Sequence, residues 1–292
     1  MYYLAKTNNF GMFSPVSSCI GLVYDCTCCH VDSIEEFGQI IVKYFLNTYT
    51  DVVNKVSVEI VRQKWERIVG ESASGRSMEH KHAFSRSTTG IPFCKVQGMC
   101  NGNGPHNRSG RAGSAITVTM QGGFKGLDVL KTTQSGFVNF HKCKLTTLPS
   151  DTDRFVGTSV DAEWSYDSRM LNRRVDYAEL YYAIEKTLLA TFTGPADTGV
   201  YSPSVQKTLY EMANVSLKNH PAIDKMTLYM PNLHFLPFPL QEKFGIKNAD
   251  CSGKPNIFFP IDEPHGWIKV CFLRKHLILW YNILYSCLFY FT

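Results

Sequence analysis

Between residues 33 and 49 apolar groups recur every third or fourth position, at Ile34, Phe37, Ile40, Ile41, Tyr44, Phe45 and Tyr49, and this spacing predicts an amphipathic helix. Asp32-Ser33 supplies a cap, and Glu35-Glu36 in the first turn suit the positive end of the helix dipole. Over residues 56–65 the period changes to two, as in a half-buried strand, and a second strand-like stretch runs from His82 through Phe84 to Val96. Gly, Asn, Ser and Arg then crowd residues 98–113, which predicts a loop or boundary.

Beyond it the order recurs. Residues 116–120 and 126–131 predict a strand pair, and residues 159–166 a long strand. A helix is predicted over about 175–192, with Tyr177, Leu180, Tyr181, Ile184, Leu188 and Phe192 on one face. Another, over about 202–219, opens with Ser202-Pro203, a cap followed by proline at the first helical position. Strands return at 226–230 and between Ile257 and Val270. Two copies of strand–helix–strand, the first without an opening hairpin, predict an α+β architecture of antiparallel sheets with helices packed on one face. Sheets with so many edges are commonly protected by pairing between subunits, so an oligomer is expected.

Composition narrows the class. At 292 residues and 44% hydrophobic content the chain can bury one large core or two ordinary ones. The formal charge of +5 comes from scattered residues such as Arg173-Arg174 and Arg274-Lys275, a mild bias toward anionic ligands that does not indicate nucleic acid. Ten cysteines in a long chain whose opening residues lack a secretory pattern read as reduced, intracellular thiols. The dense cluster Cys26, Cys28, Cys29 and His30 lacks a second ligand pair at zinc spacing, so free thiols in an irregular segment are preferred over a metal site. Residues 277–292 are almost wholly apolar or aromatic, shorter than the roughly 20 residues of a membrane span. They read as an atypical tail, with a tail anchor as the alternative.

The block Leu127-Asp-Val-Leu-Lys-Thr-Thr-Gln-Ser-Gly-Phe-Val-Asn-Phe140, continuing through Thr146-Thr147-Leu148 to Arg154, resembles the signature of the urate oxidases. Tyr201-Ser-Pro-Ser-Val-Gln-Lys-Thr-Leu-Tyr210 and Leu228-Tyr-Met-Pro-Asn-Leu-His234 resemble two further blocks of that family, in the same order. Tyr3-Leu-Ala-Lys-Thr-Asn8, Ser33-Ile-Glu-Glu-Phe-Gly38 and Lys81-His-Ala-Phe84 are also similar to family sequence. The resemblance implies a tunnelling fold of two repeats, here 1–113 and 114–276. It implies a homotetramer with active sites at subunit interfaces, peroxisomal residence, and oxidation of urate by O2 with no metal or flavin.

It also implies roles. Urate is a flat purine anion with carbonyl and N–H edges. Arg154, planar and permanently charged, suits one edge with two parallel donors. Gln206, whose amide both donates and accepts, and the backbone N–H of Val205 match the residues that read the opposite edge. Phe137 corresponds to the aromatic that stacks on the purine face, a contact worth about 1–3 kcal/mol per base in comparable sites. Asn232 corresponds to the residue that holds O2 or water above the ring, and His234 to a member of a proton relay, a task suited to a group with an ordinary pKa of about 6.5. On an extended strand, residues two apart such as Asn232 and His234 point to one face.

The match has gaps. The family's opening strands, which carry a relay Lys and a Thr-Asp pair, have no counterpart after Met1, and Lys6 belongs to a different family position. Residues 11–30 resemble nothing in the family, Leu145 stands where an aromatic is usual, and the ending Tyr290-Phe291-Thr292 is not a peroxisomal signal. Two readings therefore stay open: a catalytic urate oxidase, or an inactive purine-binding remnant with the edge-reading residues alone. A tunnelling-fold enzyme acting on pterins is a more distant rival.

Overall fold

The computed structural model describes residues 3–6, 31–50, 52–101, 115–146, 150–169, 175–247, 255–261 and 266–274. The clustered Cys26, Cys28, Cys29 and His30, the irregular 11–30 and the tail 277–292 lie outside them. Among the described residues no helix is long and apolar enough to cross a membrane.

The elements, in chain order, are β1 (Tyr3–Lys6), α1 (Ile34–Thr48), β2 (Lys55–Arg62), β3 (Lys64–Glu71), β4 (Ser77–Ser87), β5 (Ile91–Asn101), β6 (Ala115–Lys131) and β7 (Val156–Tyr166). They continue as α2 (Tyr177–Thr193), α3 (Val205–Asn219), β8 (Ile223–Pro231), β9 (His234–Pro237), α4 (Leu240–Phe244), β10 (Phe258–Ile261) and β11 (Trp267–Leu273). Seven strands form one sheet in the order β1-β2-β5-β6-β7-β8-β11, while β3-β4 and β9-β10 form separate two-stranded ribbons. The pairs β1–β2, β2–β5 and β5–β6 are antiparallel, with Val58 opposite Val96 and Val96 opposite Met120.

The chain divides into two compact units, one of residues 1–126, 162–184 and 220–226, the other of 127–161, 185–219 and 227–292. In the first, α1 starts where its cap predicts: the Ser33 hydroxyl accepts the Glu36 N–H at 3.1 Å, and Glu36 reaches back to the Asp32 N–H at 3.2 Å. Its stripe Phe37, Ile41, Val42, Phe45 and Leu46 is buried, and the helix packs on β2 and β5. Ile40 and Tyr44, which the spacing places in the apolar set, are on the stripe's exposed margin. The aromatic core joins Phe124 to Trp164 and Tyr181, with ring centroids 6.3 and 6.2 Å apart. Each such ring is worth about 1.5–3 kcal/mol when fully buried.

Four expectations are corrected here, the first being the stretch from His82 to Val96, which divides between β4, ending at Ser87, and β5, starting at Ile91. The alternating stretch 56–65 is not one strand, because β2 ends at Arg62 and β3 starts a separate ribbon at Lys64. The predicted loop from 98 starts later, since β5 pairs with β6 as far as Asn101 opposite Ala115. The predicted strand pair at 116–131 is one continuous strand, β6. Gly122-Gly123 looks like a turn, but the glycines serve close packing: a Cβ at Gly123 would collide with the Ala162 carbonyl and lie 2.8 Å from the Phe93 ring.

In the second unit the first part of β7 buries Val156 and Val160, Leu188 and Phe192 of α2 are buried, and α3 buries Leu209, Met212 and Leu217. The start of α3 is corrected too. Ser204, not Ser202, is the cap: its hydroxyl accepts the Lys207 N–H at 3.1 Å, while the Ser202 hydroxyl is bonded to that of Thr208. Val205 and Gln206 are therefore the first two residues of the helix.

Candidate active site

All six residues singled out from the sequence fall in the second unit. A strap without regular structure, residues 132–140, leaves the end of β6 and joins their segments. On one side of the strap, Phe137 N–H donates to the Asp151 carbonyl at 2.6 Å, Asp151 N–H returns the bond at 3.1 Å, and Arg154 N–H donates to the Ser135 carbonyl at 2.8 Å. On the other, Gly136 N–H donates to the Ser202 carbonyl and Ser202 N–H to the Gln134 carbonyl, both at 2.9 Å. A Cβ at Gly136 would strike the Tyr201 hydroxyl and lie 3.0 Å from the Asp151 carbonyl, so glycine is required for the two sides to close on the strap.

This places Arg154 beside Phe137, with the guanidinium carbon 5.2 Å from the ring centroid. Arg154 Nε is buried with no hydrogen-bond partner among the described residues. Burial lowers the guanidinium's pKa, against the opposing pull of Asp151 and Tyr201, and it remains a cation at any ordinary pH. A half-buried cation whose buried Nε has a donor to spare is suited to an anion.

Across the strap, the Ser202 bonds fix the chain just before α3. The first N–H groups of a helix have no partner within it and carry the positive end of its dipole, so those of Val205 and Gln206 suit an anionic or carbonyl edge. The Val205 side chain is buried and anchors the turn, and the Gln206 side chain is half-buried. Lys131, at the end of β6, donates to the Val200 carbonyl at 2.6 Å and to the Phe192 carbonyl at 3.3 Å, holding the approach to α3; burial pulls its pKa down.

Asn232 and His234 enter from β8 and β9. Asn232 N–H donates to the Gly266 carbonyl and Leu233 N–H to the Gly157 carbonyl, each at 3.0 Å. His234 opens β9 opposite Ile261 of β10. Phe155, next to Arg154, packs on Phe258 and Phe235 with centroids 4.3 and 6.0 Å apart, which ties this ribbon to the Arg154 segment. Arg154 and Phe137 are thus in direct contact, Val205 and Gln206 are linked to them through the strap, and Asn232 and His234 through β7.

Sequence reasoning assigns no role to Gln134, Gly136, Phe140 or Gly199, although the first three lie in the quoted signature block. For Gln134 and Gly199 the signal is conformational, with φ of 57° and 66°, the former unusual for a residue other than glycine. Among the described residues no group of three or more His, Cys, Asp or Glu gathers as a metal site would require.

A family model described as Uricase matches residues 120–269. Uricase-2 isozyme 2 of Glycine max is 36% identical over 253 residues, 85% of this chain and 74% of its own length. The uricase of Arabidopsis thaliana is 35% identical over 246 residues, 83% of this chain and 72% of its own. Among solved structures, the uricase from Arthrobacter globiformis superposes with a TM-score of 0.70 at 24% identity, covering 96% of this chain and 88% of that one. The urate oxidase from Bacillus sp. TB-90 gives 0.69 at 16% identity, covering 88% and 78%.

Proposed function

The chain belongs to the uricase family, and on that premise we propose that it is an oxidoreductase that converts urate, O2 and water to 5-hydroxyisourate and hydrogen peroxide. Its architecture is the α+β tunnelling fold. We read it as two repeats, residues 1–113 and 114–276.

The observation that carries the site assignment is the buried, unpartnered Nε of Arg154 beside the Phe137 ring. In this reading the Arg154 fork donates two parallel bonds to one edge of the urate anion. Val205 N–H and the Gln206 amide take the opposite edge, and Phe137 stacks on the face. Asn232 holds O2 or water above the ring, and His234 exchanges a proton during the transfer. The urate anion itself supplies two electrons to O2, so no flavin or metal is needed for the redox step.

The assembly we propose is a homotetramer with its sites at subunit interfaces, in the peroxisome, a compartment that rests on the family alone. The β3–β4 ribbon supports association, because Trp65, Ile68, Val69 and Phe84 are all more than two-fifths exposed and two strands alone bury too little to stay folded in water. The decisive experiment follows urate absorbance with purified protein near neutral pH. Loss of urate with matching hydrogen peroxide is expected; urate binding without turnover would overturn the enzyme reading.

A further inference from the structure

We propose that Gln134 is a positioning residue that sets the gap between the two halves of the urate clamp, with Gly199 as its counterpart. The inference rests on the reading of Arg154, Val205 and Gln206 given above.

Gln134 adopts φ 57°, a left-handed conformation that a residue with a side chain keeps only where its surroundings over-determine it. Three bonds do so. Its N–H donates to Asp153 Oδ1 at 3.2 Å, its carbonyl accepts the Ser202 N–H at 2.9 Å, and its side-chain Nε2 donates to the Thr198 carbonyl at 2.7 Å. Asp153 Oδ1 also accepts the Thr133 hydroxyl at 2.6 Å. Asp153 directly precedes Arg154, and Ser202 lies three residues before Val205. One residue therefore holds the Arg154 side of the clamp with its backbone N–H and the α3 side with its carbonyl and its amide.

Gly199 completes the fit. It has φ 66°, and a Cβ there would collide with Gln134 Oε1, so the loop lies as close to the amide as glycine alone permits. The two sides of a purine are a fixed distance apart, and donors on opposite edges bond well only within a few tenths of an ångström of that width. Gln134 touches neither edge, yet it determines whether both can be met together.

The test uses three single variants: Gln134→Glu, which keeps the shape but sets a carboxylate against the Thr198 carbonyl to which it cannot donate, Gln134→Ala and Gly199→Ala. Each is expected to raise KM for urate roughly tenfold while kcat changes less than about threefold, because loss of the gap weakens binding before it alters the chemistry. The double variant Gln134→Ala/Gly199→Ala is expected to raise KM by less than the product of its singles, since removing the amide frees the space that the added methyl group needs. A KM within about twofold of the parent in Gln134→Glu, Gln134→Ala and Gly199→Ala alike overturns the proposal, as does a double variant whose KM rises by the full product of the Gln134→Ala and Gly199→Ala factors. A lowered melting temperature with unchanged KM assigns these residues to folding alone and also overturns it. Arg154→Ala and Gln206→Ala, run alongside, separate the two levels: if they leave KM unchanged, the clamp reading fails; if they raise it and the Gln134 variants do not, only this inference fails.

Discussion

Phe140 lies face to face with Phe137, their ring centroids 4.3 Å apart and their planes 16° from parallel. One face of Phe137 is thereby occupied from within the chain, and in the proposed reading urate stacks on the other. On that reading Phe140 would stiffen the platform without touching urate. An offset aromatic pair is worth about 0.5–1.5 kcal/mol beyond its buried area, so Phe140→Ala is expected to raise KM for urate by about two- to tenfold and to affect kcat less. Steady-state kinetics on purified protein check this, with Phe140→Tyr expected to behave as the parent. An unchanged KM in Phe140→Ala would mean that Phe137 needs no backing.

Arg154 offers a sharper test, because charge and shape can be separated. Arg154→Lys keeps the cation but loses the planar fork, and Arg154→Ala loses both. Urate affinity is expected to fall by roughly two orders of magnitude in Arg154→Ala, the cost of stranding a desolvated anion, and by an intermediate factor in Arg154→Lys. Equilibrium binding of urate under anaerobic conditions measures this without turnover. Near-normal affinity in the alanine variant would refute the proposed edge contact.

For His234 the expectation is reversed. A proton-relay group acts on the transition state more than on the bound substrate, so His234→Ala is expected to lower kcat by about 100-fold or more with a small change in urate affinity. Equal losses in kcat and affinity would make His234 a binding residue.

How much of this is legible in the sequence differs between elements for physical reasons. Helix α1 is readable because its stripe, its cap at Ser33 and its acidic first turn are local and agree. Strand β6 is not, because Gly122-Gly123 carries two possible meanings, turn or close approach, and only the position of Ala162 and Phe93 decides between them. The cap of α3 is ambiguous in the same way: Ser202 and Ser204 both precede the apolar run, and the Thr208 hydroxyl, six residues from Ser202, draws Ser202 away. The six candidate residues come from resemblance to a family, not from local pattern. What joins them, the bonds of the strap to Asp151, Asp153 and Ser202, spans separations that no periodicity encodes.

Glu35 carries a prediction about stability that is independent of the urate site. It is the second residue of α1 and only 4% exposed, and the Tyr166 hydroxyl donates to its Oε1 at 2.9 Å. Burial raises its carboxyl pKa above the ordinary 4.5, outweighing the Tyr166 bond and the Arg62 charge, which lower it; Glu36 adds a smaller upward push. Because the folded state binds this proton more tightly than the unfolded state, the group's contribution is fully present below the unfolded value of 4.5. It is lost as pH rises through the higher value of the folded state, so Glu35 costs stability at neutral pH. Glu35→Gln keeps an acceptor for Tyr166 and removes the ionisation. The variant is expected to melt at a higher temperature than the parent near neutral pH, with the difference shrinking as the medium is acidified below the ordinary carboxyl value. Melting curves across that range decide the matter: a variant that melts lower at neutral pH, or an offset that does not shrink in acid, would mean that the ionised carboxylate is the form the fold prefers.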